Sequence, residues 1–261
     1  MSTTGLDILA IAAHRDDVEQ TCGGTMLKAA QSGQRTGILD LTQGEMGTRG
    51  SAVDRAREAA DAARILGAGW RRALDIPDGR VENTWENRLK VAAVIRETRP
   101  RVVILPYWKG RHPDHYTCSV LGYEACFLAG LRKLALSSQP SAFGQSSPGA
   151  EPGADKRESL GPHRPFKIIY ATLYYDVRPT FVVDISAQFE QKFASILAYK
   201  SQFSDQEAGK DLFPAHAEIR ARVESMARYY GALGGVTYAE PFLQKEVGLV
   251  EDLLAIPVKS I

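Results

Sequence analysis

Two short clusters of histidine and aspartate stand out in this 261-residue chain. Residues 13–19 read Ala-His-Arg-Asp-Asp-Val-Glu, and residues 111–115 read Arg-His-Pro-Asp-His. The chain has only five histidines, and three of them lie in these clusters. Imidazole and carboxylate groups are typical ligands of a catalytic zinc ion, which keeps a fourth position open. The clusters therefore predict a metal site, with helix-capping aspartates beside surface histidines as the alternative.

Each cluster follows a run of Val, Ile and Leu that is typical of a buried strand. The run at residues 6–13 leads into the first cluster, and the run at 102–106 reaches the second through Tyr-Trp-Lys-Gly at 107–110. In open α/β sheets, ligands bind beyond the carboxyl ends of the strands. We therefore expect both clusters to meet at one edge of a sheet.

The rest of the chain alternates short apolar runs with stretches of helical period. Further strands are predicted at 36–41, 167–173 and 181–185. Helices are predicted at 20–32, 54–66, 86–98, 119–136, from the last strand to about 199, and at 217–230. This pattern predicts a single α/β domain over residues 1–261. Its sheet is doubly wound, mostly parallel and Rossmann-like, with helices on both faces and small C-terminal additions.

Two stretches are rich in glycine. Residues 137–165 are crowded with Ser, Pro and Gly, which predicts a flexible surface loop, with a lid or subunit contact as the alternative. Residues 42–50 carry three glycines, but they have neither the GxGxxG nor the Walker A spacing of phosphate-binding loops. We interpret residues 42–50 as a flexible wall of the same site.

Composition excludes several classes of partner. The formal net charge is +1, so nothing global favours nucleic acid or an anionic membrane. The first apolar run is too short to span a bilayer and lacks the basic start of a signal peptide. The three cysteines, Cys22, Cys118 and Cys126, show no CxxC spacing, which favours reduced thiols. We expect a cytoplasmic protein with no nucleic-acid or membrane partner.

In combination, the motifs resemble the PIG-L/LmbE family of zinc N-deacetylases. The resemblance rests on His-x-Asp-Asp-Val-Glu with Gly23-Gly24-Thr25, on Gly44-Glu45-x-Gly47-Thr48-x-Gly50, and on His112-Pro113-Asp114-His115. Residues 106–111, 181–186, 199–203 and 228–233 are similar to the bacterial N-acetylglucosaminyl-malate deacetylases of bacillithiol biosynthesis. The resemblance covers nearly the whole chain except residues 137–165.

The resemblance implies a metal centre with a base beside it. His14, Asp17 and His115 would bind Zn²⁺, although Fe²⁺ suits the same ligands. Asp16 would be the general base. The implied reaction is hydrolysis of an amide bond.

The resemblance also implies roles for residues around the metal. His112 would polarise the substrate or donate a proton, and Asp114 would orient His112 or bind backbone amides. Arg55, Arg111 and Tyr199 match positions near the substrate, although for Arg55 a solvated helix charge is the alternative.

One position departs from the family, because Arg15 stands where relatives usually have proline. We hypothesise that Arg15 faces the pocket and favours anionic substrates. The alternative is that it points to solvent and only frees the turn from proline's constraint.

The implied activity is removal of an N-acetyl group from a small amino-sugar substrate, first of all N-acetylglucosaminyl-malate. The alternatives are another amino sugar, such as a chitooligosaccharide or a lipid-linked or antibiotic precursor, and a non-catalytic sugar-binding homologue. A dinucleotide-binding Rossmann protein is excluded, since the fingerprint after the first strand is missing. Relatives often form hexamers, so the resemblance implies a homo-oligomer.

Overall fold

The computed structural model describes residues 5–137, 160–173, 176–204 and 216–256. Its centre is a seven-stranded sheet in the order β3-β2-β1-β4-β5-β7-β6. Five strands are parallel: β1 (Ile8–Ala12), β2 (Thr36–Asp40), β3 (Trp70–Ala73), β4 (Val102–Pro106) and β5 (Lys167–Ala171). At the far edge, β7 (Ala239–Leu243) runs antiparallel to both β5 and β6 (Phe181–Asp184).

Helices cover both faces of the sheet, as the apolar strands predict. They are α1 (Asp17–Thr21), α2 (Gly23–Gln31), α3 (Ala52–Leu66), α4 (Trp85–Thr98), α5 (Pro113–Ala129), α6 (Phe189–Leu197), α7 (Lys200–Phe203) and α8 (His216–Gly234). Alternate residues of a strand point to opposite faces. Leu9 and Ile11 therefore pack with α4 and α5, whereas Ala10 and Ala12 pack with α1 and α2. The α/β expectation is confirmed.

The site-bearing strands β1 and β4 are neighbours in the sheet, with Ala10 opposite Ile104. From β1 the chain continues to β2 and β3 on one side, and β4 and β5 lie on the other. Such a reversal of strand order leaves a crevice beyond the carboxyl ends of the strands. The two clusters follow these two strands, so the topology places both clusters at that crevice.

Helix boundaries differ from the predictions where motif residues act as caps. The helix predicted at 119–136 begins at Pro113 and ends at Ala129. His112 is its N-cap and accepts a hydrogen bond from the Asp114 backbone, and proline suits the first helical position. The helix predicted at 20–32 is two helices that meet at Cys22.

Two strands escaped prediction. β3 reads Trp-Arg-Arg-Ala and β7 reads Ala-Glu-Pro-Phe-Leu, so neither is a continuous apolar run. Most of the loop predicted at 137–165 lies outside the described residues. The three cysteines are free and buried, which agrees with reduced thiols. No helix in the described ranges is long and apolar enough to cross a bilayer.

Candidate active site

The three predicted metal ligands converge. His14 Nδ1 lies 3.1 Å from His115 Nε2, and the Asp17 carboxylate lies 3.4 Å from His14 Nδ1 and 3.2 Å from His115 Nε2. Ligand atoms about 2.0–2.1 Å from a tetrahedral ion are separated by about 3.3 Å. The triangle of donor atoms therefore has the dimensions that one zinc-sized ion requires.

Negative charge in excess surrounds these histidines. Burial opposes protonation of His14, yet Asp17, Asp114 and Asp78 raise its pKa to about 12. Burial also opposes protonation of His115, and Asp17 first, then Asp16 more weakly, raise its pKa. A divalent cation would neutralise the same carboxylates, because a bound ion becomes the largest local charge in such a site. The donor set and its charge both fit a metal ion.

Two carboxylates hold the outer face of His14. Its Nε2 lies 3.1 Å from Asp78 Oδ1 and 3.3 Å from Asp114 Oδ2. Asp114 also accepts hydrogen bonds from the backbone of Gly79, at 2.9 Å, and Val81, at 3.2 Å. A ligating histidine commonly donates its other ring N–H to a carboxylate, which fixes the tautomer. Nε2–H of His14 is thus held, and Nδ1 is left for a metal.

This placement corrects the first role expected for Asp114. Its carboxylate accepts hydrogen bonds from backbone amides, which is the alternative that the sequence left open, and it also orients His14. Only the backbone N–H of Asp114 bonds to His112. Asp78 was missed by sequence reasoning. It lies in a Pro-Asp-Gly turn after β3, and that turn signal was readable although the strand was not.

Asp114→Asn is expected to weaken metal binding by about 10- to 100-fold, the usual effect of losing a group that orients a metal ligand. The physical reason is that asparagine keeps only one acceptor oxygen, so the ring N–H of His14 or a backbone N–H that the Asp114 carboxylate now accepts would face an NH₂ group, which only donates. Metal titration against a competing chelator measures the change. Asp61→Asn, which alters an exposed carboxylate on α3, is the matched control; equal affinities in the two variants would remove Asp114 from this role.

Asp16 stands beside the ligand triangle with one oxygen firmly held. Its Oδ1 accepts a hydrogen bond of 3.0 Å from Arg55 Nη2, and its Oδ2 accepts one of 3.3 Å from Gln20 Nε2. An ion pair to a buried guanidinium fixes the carboxylate more strongly than a bond to a neutral amide. Oδ2 is therefore the oxygen better able to take a proton.

The substrate contact expected of Arg55 is not what the structure shows. Arg55 is buried, and its guanidinium reaches Asp16. A Cβ on Gly44 or Gly47 would come within 3.2 or 3.4 Å of that guanidinium. The glycines of residues 42–50 therefore let the backbone pack flat against Arg55. Residues 42–50 therefore support Arg55, the residue that holds Asp16, and the interpretation of this stretch as a flexible pocket wall is corrected.

His112 projects toward the same centre from the other cluster. Its ring centroid lies 4.7 Å from that of His14 and 4.9 Å from that of His115. Burial first, then the charges on His14 and His115, lower the pKa of His112. Nδ1 accepts the Asp114 backbone N–H, so a neutral His112 carries its proton on Nε2. The ring is available as a hydrogen-bond donor.

A cavity of about 470 Å³ opens at His112 and His115, a volume within the usual range for small-ligand sites. Small side chains of Ala10, Ala12 and Ala171 line its inner wall. Exposed basic side chains line it as well: Lys109, Arg111 and Arg222. Among the described lining residues, Asp17 is the one acidic side chain. Arg111, which the resemblance predicts near a substrate, is one of these lining residues.

Arg15 and Tyr199 lie elsewhere, and both expectations are corrected. Arg15 is buried and donates from Nη1 to the Ala52 carbonyl at 2.9 Å, at the start of α3. Tyr199 is fully buried, and its hydroxyl bonds to the Arg15 carbonyl and to Glu19 Oε1. When His14 and Asp17 face one point, the turn sends the intervening Arg15 side chain away from that point. Neither residue is at the cavity.

A buried ionic cluster of Arg71, Glu19 and Asp40 supports this turn. Arg71 on β3 donates to Glu19 at 2.6 Å and to Asp40 at 2.9 Å, and it also bonds to the Arg15 carbonyl. Burial raises the pKa of Glu19 to about 7 although Arg71 opposes the shift. Removing one partner from such a buried group leaves an uncompensated charge, which is strongly destabilising. Sequence reasoning missed Glu19, Arg71 and Asp40, since no local pattern links them.

Known proteins share these features. Residues 9–126 match the family described as PIG-L, GlcNAc-PI de-N-acetylase. The diacetylchitobiose deacetylase of Thermococcus kodakarensis is 31% identical over 244 residues, 89% of this chain and 80% of that protein. The conserved protein TT1542 from Thermus thermophilus superposes with a TM-score of 0.78 at 39% identity, over 94% of this chain and 98% of that one.

A second solved structure extends the likeness in fold. N,N'-diacetylchitobiose deacetylase from Pyrococcus horikoshii, complexed with its inhibitor MPG, gives a TM-score of 0.72 at 24% identity, over 90% of this chain and 82% of that one. The identity to the Thermococcus protein extends over most of both chains, and the family match spans both clusters of histidine and aspartate. This chain belongs to the PIG-L family of de-N-acetylases.

Proposed function

We propose that this protein is a metal-dependent hydrolase that removes the N-acetyl group from an N-acetylglucosaminyl conjugate, with N-acetylglucosaminyl-malate as the best candidate. The observation that carries the proposal is the donor triangle of His14, Asp17 and His115, with Asp17, His112 and His115 lining an open cavity and Asp16 next to Asp17 in the same turn. A pure binding protein has no need for a carboxylate that an arginine holds by one oxygen, and only a neutral amide by the other, next to a metal site.

Hydrolysis of an acetamide requires a stronger nucleophile than water at neutral pH. Zn²⁺ held by His14, Asp17 and His115 would supply Lewis acidity and lower the pKa of water, and Fe²⁺ suits the same donors. Asp16 Oδ2 takes a proton from the attacking water as its oxygen bonds to the acetyl carbon. Arg55 keeps the other oxygen of Asp16 in place meanwhile. The ion pair with Arg55 thus orients Asp16 through Oδ1 and leaves Oδ2 to act as the base.

The second half of the reaction breaks the carbon–nitrogen bond. His112 Nε2–H donates a hydrogen bond to the negative charge that develops on the carbonyl oxygen. Removing one such donor typically costs about 3–4 kcal/mol of transition-state stabilisation. Protonated Asp16 then delivers its proton to the departing nitrogen. The products are acetate and a free glucosamine amine.

His112→Ala is expected to keep the metal and lower kcat by about 10²- to 10³-fold, because its hydrogen bond strengthens only in the transition state. Steady-state kinetics with metal analysis measures both quantities. His163→Ala is the matched control, since that ring bonds to the Pro100 carbonyl away from the site. A change confined to KM would make His112 a ground-state binding residue instead.

The basic wall of the cavity supports an anionic aglycone. Lys109, Arg111 and Arg222 are exposed there, whereas the acidic lining residue among those described is the predicted ligand Asp17. Arg222 also pairs with Glu218 along α8. A substrate carboxylate at this wall would meet two or three positive charges, and such complementarity favours both encounter and orientation. The carboxylates of a malate conjugate satisfy this requirement.

A chitooligosaccharide is the second candidate. The relative from Thermococcus kodakarensis is named a diacetylchitobiose deacetylase, and the match covers most of both chains. An uncharged disaccharide would leave the basic wall without an ionic partner. That difference makes the two candidates separable by charge.

An acetate-release assay with metal analysis tests the proposal. We expect turnover of N-acetylglucosaminyl-malate by the metal-loaded protein, with a higher kcat/KM than for N,N'-diacetylchitobiose. The reverse ranking would favour the chitooligosaccharide. No acetate from either compound or from N-acetylglucosamine, in a protein with full metal occupancy, would favour the non-catalytic homologue.

Arg111→Gln is expected to lower kcat/KM for N-acetylglucosaminyl-malate by roughly three- to tenfold and to leave N-acetylglucosamine nearly unchanged. The effect is modest because exposed ion pairs are screened by water and salt. Arg101→Gln is the control, an exposed arginine just before β4, at the opposite end of the sheet. Equal losses on both substrates would show that Arg111 does not recognise the anion.

A further inference from the structure

The inner end of the cavity beside His112 and His115 is apolar. Six side chains of its described wall are at most 2% exposed and belong to one cluster of the core, on the α1 and α2 side of the sheet. They are Ala10, Ala12, Val18, Cys22, Ile104 and Ala171. We call the part of the cavity that they line the inner compartment. Apolar cavities of this kind bind hydrocarbon groups more readily than water.

Three alanines create the inner compartment and set its depth. Ala171 pairs with Pro106 of β4, and Ala10 pairs with Ile104, two residues earlier in the same strand. Ala12 comes two residues after Ala10 and is therefore level with Ala171. Residues two apart on one face of a strand are separated by about 6.6 Å. Since the cavity reaches Ala10 and Ile104, it extends about that far below the level of Ala12 and Ala171.

The inner compartment lies alongside the strands, whereas the charged groups of the cavity follow the strand ends. Asp17 comes after β1, and Lys109, Arg111 and His115 come after β4. The two proposed metal ligands in this set, Asp17 and His115, line the same cavity as the alanines. A substrate with its amide carbonyl carbon at these ligands therefore has an apolar space on one side and a basic wall on the other.

The polar half of such a substrate does not suit the inner compartment. The neighbouring Thr21 hydroxyl already donates a hydrogen bond to the Asp17 carbonyl at 2.8 Å, and the backbones of β1 and β4 pair with each other in the sheet. Sugar hydroxyls or a carboxylate would lose their hydrogen bonds to water there without replacement, which is unfavourable. The sugar and its aglycone thus fit the outer wall, and the inner compartment fits hydrocarbon.

We propose that the inner compartment binds the alkyl chain of the acyl group, so that the protein removes N-acyl groups longer than acetyl, up to about hexanoyl. This inference rests on the proposed function, because it places the attacked carbonyl carbon at the proposed metal ligands. An acetyl group carries a single carbon beyond its carbonyl. At bond lengths of about 1.5 Å, a depth of about 6.6 Å takes about four or five carbons.

The reaction is the same hydrolysis with a longer acid as product. The oxygen of water bonds to the acyl carbon, the carbon–nitrogen bond breaks, and the nitrogen receives a proton. The products are an alkanoate and the glucosamine amine. No further reactant is required.

A chain-length series of N-acylglucosamines tests the inference. With the metal-loaded protein, kcat/KM for release of the amine is expected to rise from acetyl through butanoyl to hexanoyl, by at most about fourfold for each buried methylene. It is expected to fall again at decanoyl, whose chain exceeds the depth of the inner compartment. Values that stay level or fall from acetyl to hexanoyl would overturn the inference and leave the proposed function standing.

Two substitutions locate the effect. Ala171→Leu fills part of the inner compartment and is expected to lower the ratio of hexanoyl to acetyl turnover at least about tenfold. Ile104→Val is the milder change and enlarges the space, so it is expected to raise the ratio of decanoyl to hexanoyl turnover by about fourfold. Ile38→Val is the matched control, because Ile38 is buried in the same core cluster on β2 but is outside the described cavity wall. An equal change in the control would remove the inner compartment from chain recognition.

Binding of the acid products decides the inference without turnover. Calorimetric titration of the metal-loaded protein with hexanoate and with acetate compares two carboxylates that differ only in the alkyl chain. Hexanoate is expected to bind at least about tenfold more tightly, and equal affinities would overturn the inference. Tighter binding of hexanoate in a protein that hydrolyses none of the amides would instead contradict the proposed function and keep the alkyl site.

Discussion

Under the proposed mechanism, the Asp16→Asn protein is expected to bind metal as the unaltered protein does and to lose deacetylation by about 10²- to 10⁴-fold, the usual contribution of a general base. Asparagine has nearly the same shape as aspartate, but its amide cannot take a proton from water. Asp16 lies outside the donor triangle, so the metal site should persist. Acetate release gives kcat, and elemental analysis of the same sample gives the metal content.

The substitution also leaves Arg55 without its charged partner. A buried, unpaired guanidinium destabilises the fold, so melting temperatures must be compared. The double variant Asp16→Asn with Arg55→Met removes that buried charge and should remain inactive. Asp61→Asn, on the exposed face of α3, should behave as the unaltered protein. A near-normal kcat for Asp16→Asn would assign the base to another group.

Loss of any one of the three proposed metal ligands is expected to abolish turnover. His14→Ala, Asp17→Ala and His115→Ala each remove one corner of a triangle whose sides are 3.1–3.4 Å. Two remaining ligands hold a metal far more weakly than three, and without the metal the acetamide meets only neutral water. Metal content after dialysis and acetate release are the two measurements. We expect both to fall below detection in all three variants.

Removing a histidine from the body of the protein is the control for this set. His163→Ala changes a histidine whose Nε2 lies 2.7 Å from the Pro100 carbonyl, outside the cluster, and should retain metal and activity. Full metal occupancy in any one of these variants would show that the substituted residue is not a metal ligand. Adding back metal distinguishes weakened binding from a misfolded site, because a folded but weakened site recovers at high metal concentration.

The sequence by itself determined the strands that carry the site and the groups that converge there. Residues 6–13 and 102–106 are continuous apolar runs, which buried parallel strands require, and both clusters follow them directly. Parallel neighbours bring their carboxyl ends to one edge, so the meeting of His14, Asp17 and His115 follows from local patterns. The caps behave likewise, because Pro113 after His112 is a signal that acts within one helical turn.

Tertiary structure alone decided which polar side chains face the cavity. Arg15, Arg55 and Tyr199 sit next to the motifs in sequence or match substrate positions, yet all three are buried around the turn. Their directions depend on contacts with partners 37 to 184 residues away, such as Ala52 for Arg15 and the Arg15 carbonyl for Tyr199.

The same holds for the groups that orient the ligands. Asp78 reaches His14 only because β3 pairs with β2. The sequence of β3, Trp-Arg-Arg-Ala, is not an apolar run and therefore does not predict a strand. Arg71 on that strand then meets Glu19 from the first cluster. Spacing along the chain predicts which residues share a turn or a helix face. Packing determines which charges form a buried ion pair between distant strands and helices, because a charge is buried at acceptable cost only when it is paired.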